Sequence, residues 1–168
     1  DGSDRVRLTN NAAQDGQPSF SPDGSRIAFS STRSGNNDIW TMFADGSNLT
    51  NITVASTELE GSPEYSPQGG RIAFTRQPNV FTSSDLILAN PDGTGEVNLT
   101  ASWPDNLNFA TWEPSGNSLL FGGPGPGTAG LEIWRISAFG GTPVQLTNSS
   151  NDQYQPKASP DGSKIVYA

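Results

Sequence analysis

Carboxylates are the side chains of this sequence that could most readily do chemistry. It holds 17 Asp and Glu residues against 9 Lys and Arg, with no His and no Cys. Without His and Cys there can be no Ser-His-Asp triad, no Cys-His pair and no histidine-bound zinc. Acid–base catalysis by a pair of carboxylates is the catalytic chemistry that the composition leaves open.

The positions of the acids nevertheless favour structural roles. One set lies in glycine turns, where aspartate accepts hydrogen bonds from its own backbone: Asp23, Asp45, Asp92 and Asp161. A second set recurs at predicted strand starts: Asp38, Asp85 and Glu132. Asn36, Asn37 and Asp38 could offer oxygens to calcium, but the spacing of an EF-hand loop is absent. We therefore expect no catalytic residue, no metal site and no cofactor.

Net charge and hydropathy exclude two classes of partner. The formal net charge is −8 and the basic residues are scattered along the chain. A surface of this sign repels phosphate backbones, so nucleic acid is not an expected partner. No apolar run approaches the roughly 18 residues that cross a bilayer, so membrane insertion is not expected either.

An internal repeat organises the whole chain. Residues 21–29 (S-P-D-G-S-R-I-A-F) recur with substitutions at 66–74, 113–121 and 159–167. The turn prolines of the four copies are spaced by 45, 47 and 46 residues: Pro22, Pro67, Pro114 and Pro160. After each of the first three copies comes an apolar segment opened by an acid, then a glycine turn, then Ile-Thr or Leu-Thr. In the third copy, Gly140 is read as the replacement for the turn aspartate.

Each repeat reads as four short antiparallel strands. In the first copy they are predicted at 18–21, 26–29, 38–42 and 48–53, separated by glycine turns typical of hairpins. The second strand is apolar on both faces (Ile27-Ala28-Phe29), so its sheet must be covered on both sides. A four-stranded unit of about 46 residues that stacks on its neighbours matches a blade of a β-propeller. The sequence therefore predicts an all-β fold of propeller blades.

The repeat divides the chain into one propeller array, 1–168. We assign an unpaired outer strand (at 5–9) and loop to 1–16, blades to 17–61, 62–108 and 109–152, and a partial blade to 153–168. Closed propellers have about 4–8 blades, so three and a half repeats predict either a fragment of a longer propeller or a half that self-associates. Two copies paired head to tail would make an eight-bladed ring with twofold symmetry.

The repeat resembles that of the TolB-like β-propeller family, on residues 20–29, Ile39-Trp40, Asp45-Gly46 and Ile52-Thr53. This resemblance implies a periplasmic or extracellular protein that binds a protein partner on a propeller face without catalysis. Because propellers host many activities, three alternatives stay open: a carbohydrate-binding propeller, the gating propeller of a serine peptidase, and a self-assembling structural protein.

The loops opposite the tight turns form the predicted binding face, because loops on a rigid scaffold concentrate binding residues. The candidate partner-binding residues are Arg33, Arg76, Val80, Phe81, Trp103 and Tyr154. Val80 and Phe81 are apolar in the most irregular loop, and Trp103 and Tyr154 could stack on sugar rings. Asn48, Asn51, Asn98 and Asn148 fit the glycosylation acceptor pattern. The first three arise from the Leu-Thr or Ile-Thr ending of the repeat, so we expect no glycan there.

Overall fold

The computed structural model describes residues 3–168 apart from 55, 79–82, 102, 104–106 and 125–129. Strands joined by turns and loops make up this part of the chain, and it contains no helix. The first sheet consists of β1 (Asp15–Phe20), β2 (Arg26–Ser31), β3 (Asp38–Phe43) and β4 (Thr50–Asn51). The second consists of β5 (Leu59–Tyr65), β6 (Ile72–Gln77), β7 (Asp85–Ala89) and β8 (Val97–Asn98). The third consists of β9 (Asn108–Trp112), β10 (Ser118–Pro124), β11 (Leu131–Ser137) and β12 (Val144–Gln145), and a hairpin of β13 (Lys157–Ala158) and β14 (Ile165–Val166) follows.

Each sheet is an antiparallel meander in which every strand pairs with the next one in sequence. This order confirms the predicted all-β fold of four-stranded blades. The fourth strands are shorter than predicted: β4 has two residues where six were expected. Beyond it, the Ile52 N–H still bonds the Ile39 carbonyl of the third strand, and the Thr53 hydroxyl accepts the Ile39 N–H. The three blades and the hairpin do not close into a ring.

The turn aspartates close their own turns. Asp23 accepts hydrogen bonds from the Ser21 hydroxyl (2.6 Å) and from the backbone N–H of Ser25 (3.1 Å). These bonds, that of the Ser21 hydroxyl first, lower the pKa of Asp23 to about 2. Asp161 is held in the same way by Ser159 and Ser163, and its pKa is also lowered to about 2. The repeated aspartate is therefore set by turn chemistry, as its position in the sequence predicts.

The third glycine turn lies one residue away from its predicted register. Gly46, Gly93 and Gly140 share a left-handed backbone, with φ of 87°, 85° and 90°. Each also donates its N–H to the carbonyl three residues earlier. Phe139, not Gly140, therefore occupies the place of the aspartate, and the reading of Gly140 as its replacement is wrong. Because residues 140 and 141 are both glycine, either one fits the glycine position of the turn in the sequence.

The hydrophobic core lies between the blades, where their faces stack. At the first junction, Tyr65 of the second blade packs with Ala28, Ile39 and Ile52 of the first. At the second junction, Trp112 of the third blade packs with Leu86, Leu88 and other residues of the second. The matching residue of the first blade, Phe20, is 61% exposed because no blade precedes it in the structure.

The segment at 5–9 packs like a fourth strand without forming one. No strand is present there, which corrects the prediction, because a fourth strand must pair with a third strand of its own blade and none is present. Leu8 packs against the outer face of the first blade, and its carbonyl lies beside Gly46. Ile52, the residue after β4, lies beside Gly93 of the next blade in the same way. Residues near Leu8 thus occupy the position of a preceding blade's outermost strand.

Candidate functional site

The first strands of the repeats line a common groove along the inner side of the arc. This central groove has a volume of about 560 Å³ and is lined by residues 17–19, 62–64, 109–111 and 155–157. Hydrogen bonds join neighbouring inner strands across it. Gln17 Nε2 donates to the Ser62 hydroxyl (3.0 Å), and the N–H of Ser62 donates to Gln17 Oε1 (2.8 Å). Each repeat therefore contributes the same short segment to one surface.

Each of the four repeats places one residue with a left-handed backbone at the same position in the groove. Gln17, Ser62, Phe109 and Gln155 have φ of 52°, 51°, 52° and 55°, which is uncommon for residues other than glycine. Bulges interrupt the pairing of the first three inner strands at this point. Backbone strain of this kind costs about 1–3 kcal/mol per residue and is concentrated at functional sites.

Proline follows the left-handed residue in three of the four copies, as Pro18, Pro63 and Pro156. Proline has no N–H to offer to an added strand. The inner edge is thus poorly suited to main-chain pairing, and a ligand in the groove would meet mainly side chains. Sequence reasoning missed this site, although the x-Pro pair at equal repeat positions was a signal that could have revealed it.

Two charged residues face each other in the groove through a threonine. Lys157 Nζ donates to the Thr111 hydroxyl (3.0 Å), which donates to Glu64 Oε1 (3.1 Å). Burial raises the pKa of Glu64, while the positive charge of Lys157 and the Thr111 hydroxyl bond act to lower it. The three residues come from different blades, so this chain of contacts ties the inner strands together.

Replacing Lys157 with methionine should raise the pKa of Glu64 further, because the charge that favours the carboxylate is removed while its burial is kept. The pKa can be followed by the ¹³C shift of the Glu64 side-chain carboxyl during a pH titration. Lys164→Met, on the exposed turn before β14, is the matched control and should leave Glu64 unchanged. An unaltered Glu64 titration in Lys157→Met would mean that the ammonium group does not lie near this carboxylate in solution.

Arg33 and Arg76, two of the predicted partner-binding residues, are engaged within the protein. The Arg33 guanidinium lies 2.7 Å from Asp15 Oδ1 and 4.9 Å from the Trp40 ring centroid. Arg76 Nε lies 2.9 Å from Glu60 Oε1, and its two terminal nitrogens bond Glu96 at 2.8 and 2.9 Å. Their donors thus bind this protein's own carboxylates, because strand pairing brings acids from distant parts of the sequence beside them.

The other predicted residues do not gather into one site. Val80 and Phe81 lie outside the described residues. Trp103 packs edge-to-face on Phe121 and Trp134, with centroid distances of 5.3 and 4.7 Å. Tyr154 is 40% exposed, and its backbone exchanges two hydrogen bonds with Ala168. It neighbours the groove residue Gln155, whereas Trp103 belongs to the second junction.

The recurring acids of the third strands secure the ends of the fourth strands. Thr53, Thr100 and Thr147 accept the N–H of the residue after the acid, at 3.0, 2.8 and 2.9 Å. Asp38 and Asp85 accept bonds from the Asn51 and Asn98 side chains (2.6 and 2.8 Å), and Glu132 accepts one from Thr147 (2.6 Å). Packing of these strand ends thus accounts for the Asn-x-Thr patterns at Asn51 and Asn98.

Metal ligation has little support in the part of the chain that the structure describes. No three Asp or Glu side chains are grouped there so that they could hold a metal ion. Asn36 and Asn37 donate through their amide nitrogens to the carbonyls of Glu58 and Glu60, at 2.9 and 2.8 Å. Their amide nitrogens therefore join the loop before β3 to the start of β5. The described residues also include no helix that is long and apolar enough to span a membrane.

Blades of four antiparallel strands that stack face to face, with their first strands along an inner groove, define a β-propeller architecture. A family model described as the TolB beta propeller domain matches residues 1–102, and the chain belongs to that family. A search of curated proteins found no match.

Solved structures share the fold at low sequence identity. TolB from Acinetobacter baumannii is 20% identical, with a TM-score of 0.77 over 95% of this chain and 39% of that one. A putative TolB from Agrobacterium tumefaciens is 20% identical, with a TM-score of 0.72 over 96% of this chain and 61% of that one. An oligogalacturonate lyase from Vibrio parahaemolyticus is 18% identical, with a TM-score of 0.69 over 94% and 46%. The chain thus spans about two-fifths and three-fifths of the two TolB structures.

Proposed function

We propose that this protein is a non-catalytic scaffold that binds a segment of a protein partner in its central groove. The observation that carries the proposal is the repeated left-handed residue of the inner strands, which holds equivalent side chains from four repeats around one groove of about 560 Å³. Phe109 is 53% exposed there, and it offers an apolar contact beside the polar side chains of Gln17 and Gln155. Membership of the TolB propeller family supports a role in protein binding.

The chemistry of the groove favours binding over catalysis. The sequence has no His and no Cys to act as base or nucleophile. Glu64 and Lys157 are joined through Thr111, so their charges help to hold neighbouring blades together. The turn aspartates and the strand-three acids are likewise committed to hydrogen bonds within the fold.

A site-specific cross-linking experiment tests this proposal. p-Benzoylphenylalanine is placed at Phe109 in the groove, or at Phe139 in the turn between β11 and β12. Each protein is irradiated in an extract of the source cells. We expect a discrete polypeptide cross-link from position 109 and none from position 139, although Phe139 is the more exposed at 85%. Excess protein carrying Gln17→Ala and Gln155→Ala should compete for this cross-link less well than the unmodified chain.

Equal cross-linking at both positions, equal competition by both proteins, or no cross-link at position 109 would overturn the groove as the binding site. The carbohydrate alternative is weakened because the partly buried Trp103 packs against a junction core. Binding to a glycan array would favour that alternative. A role as the gate of a serine peptidase or as a structural protein stays a prediction.

We further propose that the outer face of the first blade is covered by a second copy of this chain. Phe20 is exposed there, whereas Tyr65 and Trp112 at the same repeat position are buried by the preceding blade. On the terminal hairpin, Val166 occupies the position of Ala28 and Ala73, which face the following blade, and it is 66% exposed. Head-to-tail pairing would bring these surfaces together.

Light scattering of the 168-residue chain should therefore give the mass of a dimer, and Val166→Glu should convert it to a monomer. A soluble monomer at high protein concentration would refute head-to-tail pairing and would leave the proposal for the groove unaffected.

For the whole protein we propose a periplasmic or extracellular location on the basis of family membership. Fractionation of the source cells tests it, and recovery in the cytoplasm would refute it.

A further inference from the structure

Two carboxylates are buried together where the first two blades meet. Asp38 begins β3 and Glu60 lies in β5, and each is only 1% exposed. Both belong to the surroundings of Thr53, whose hydroxyl donates to Glu60 Oε2 (3.3 Å) and accepts the N–H of Ile39, the residue after Asp38. An ionised carboxylate is costly to bury without a partner for its charge. This junction therefore has more negative charge in its interior than its hydrogen bonds account for.

The other two blades show what is unusual about this arrangement. Thr100 and Thr147 donate their hydroxyls to the third-strand acid of their own blade, Asp85 at 3.4 Å and Glu132 at 2.6 Å. In the first blade, the hydroxyl of Thr53 donates its hydrogen bond to Glu60 of the next blade instead. Asp38 Oδ2 accepts bonds from the Ser34 hydroxyl and the Asn51 side chain, but the buried Asp38 Oδ1 has no hydrogen-bond partner. The residue at the position of Glu60 in the next repeat is the buried Leu107, so the extra carboxyl belongs to this junction.

The charges around the pair do not remove the imbalance. Arg76 lies 2.9 Å from Glu60, but it is shared with Glu96 at 2.8 Å and Glu58 at 3.5 Å. The single positive charge of Arg76 thus lies among four carboxylates, which are those of Glu58, Glu60, Glu96 and the nearby Asp38. A proton on Glu60 would lower this excess of negative charge inside the junction.

We propose that Glu60, buried beside the Asp38 carboxylate, keeps a proton in the folded protein, so that the packing of the first two blades weakens as that proton is lost. The pair acts as a pH-sensitive contact between blades, independent of ligand binding in the central groove.

The sign of the effect follows from proton linkage. Burial raises the pKa of Glu60, and the negative charge of Asp38 acts in the same direction, while Arg76 and a hydroxyl bond from Ser56 act to lower it. Since the folded state keeps a proton that the unfolded chain has lost, its contribution to stability is fully present below the unfolded pKa of about 4.3. It is lost as pH rises from there through the folded pKa. One proton changes the unfolding equilibrium constant by at most about tenfold per pH unit.

Denaturant unfolding of the 168-residue chain between pH 4 and pH 8 tests the proposal, with Glu60→Gln as the variant and Glu58→Gln as the matched control. Glu58 contacts the same arginine from a half-buried position, so its replacement removes one charge while the buried pair is kept. We expect the unfolding equilibrium constant of the parent chain to rise with pH relative to Glu60→Gln, by about tenfold or less per pH unit. Glu58→Gln should keep the parent's dependence.

A second readout needs no variant to fold. The ¹³C titration of the Glu60 carboxyl in the parent chain should lie above that of an ordinary glutamate. The protection factor of the Ile39 amide, which bonds Thr53, should fall over the same pH range after correction for base-catalysed exchange. A normal Glu60 titration, or equal pH dependence in the parent and Glu60→Gln, would overturn the proposal. So would stabilisation of the parent but not of Glu60→Gln by millimolar Ca²⁺, because a metal ion would then offset the charge in place of a proton.

Discussion

Replacing Trp112 with alanine should lower the free energy of unfolding by about 3–5 kcal/mol, as is usual for a large aromatic side chain lost from a packed core. Trp112 is 6% exposed and packs with Leu86 and Leu88 of the preceding blade. Its indole N–H also donates to the backbone carbonyl of Glu64 (3.1 Å), which alanine would leave without this donor. The substitution thus removes apolar contact and a hydrogen bond across the same junction. Urea unfolding followed by circular dichroism measures the change.

The repeat supplies a matched control for this prediction. Phe20 occupies the position of Trp112 in the first blade and is 61% exposed. In the dilute monomer, Phe20→Ala should therefore change the free energy of unfolding by no more than about 0.5 kcal/mol, which is typical of an exposed site. A similar cost for both variants would show that the stacking of blades is not what makes Trp112 important. In the proposed dimer, a second copy covers Phe20, so Phe20→Ala should cost more there. This additional cost should fall on dilution.

Gly93→Ala is expected to have the second largest effect, lowering the free energy of unfolding by about 2–4 kcal/mol. Gly93 has φ of 85° in the turn before β8, and a Cβ there would lie 2.2 Å from the backbone oxygen of Ile52 in the preceding blade. Because the clashing atom is backbone, the whole turn would have to move away from Ile52. The cost therefore combines a left-handed alanine with a disturbed junction, and thermal or urea unfolding measures it.

Gly24→Ala separates these two contributions. Gly24 has φ of 71°, and no atom lies within 4 Å of the place where its Cβ would be. Only the left-handed backbone is then unfavourable for alanine, at about 1–2 kcal/mol. If Gly93→Ala cost no more than Gly24→Ala, the Asp-Gly turn of the second blade would not pack on the first blade in solution.

The candidate site shows where prediction from the sequence reached its limit. Turn chemistry and apolar periodicity identified the strands, but the central groove depends on inner strands that are about 46 residues apart in the chain. The predicted binding residues were chosen by loop position and residue type, which say nothing about neighbours in space. Arg33 is therefore found paired with Asp15, and Trp103 is found packed against a junction core.

By itself the sequence determined the blade: its four strands, its glycine turns and the acid that opens each third strand. These features are local, since φ preferences, turn hydrogen bonds and alternation along a strand act between residues close in the chain. Only the tertiary structure decided how the blades differ where they meet. The buried pair of Asp38 and Glu60, the chain of contacts from Glu64 to Lys157, and the exposure of Phe20 all depend on which blade lies alongside. The repeat makes every blade alike, so contacts between blades are set by stacking and by the few positions at which the copies diverge.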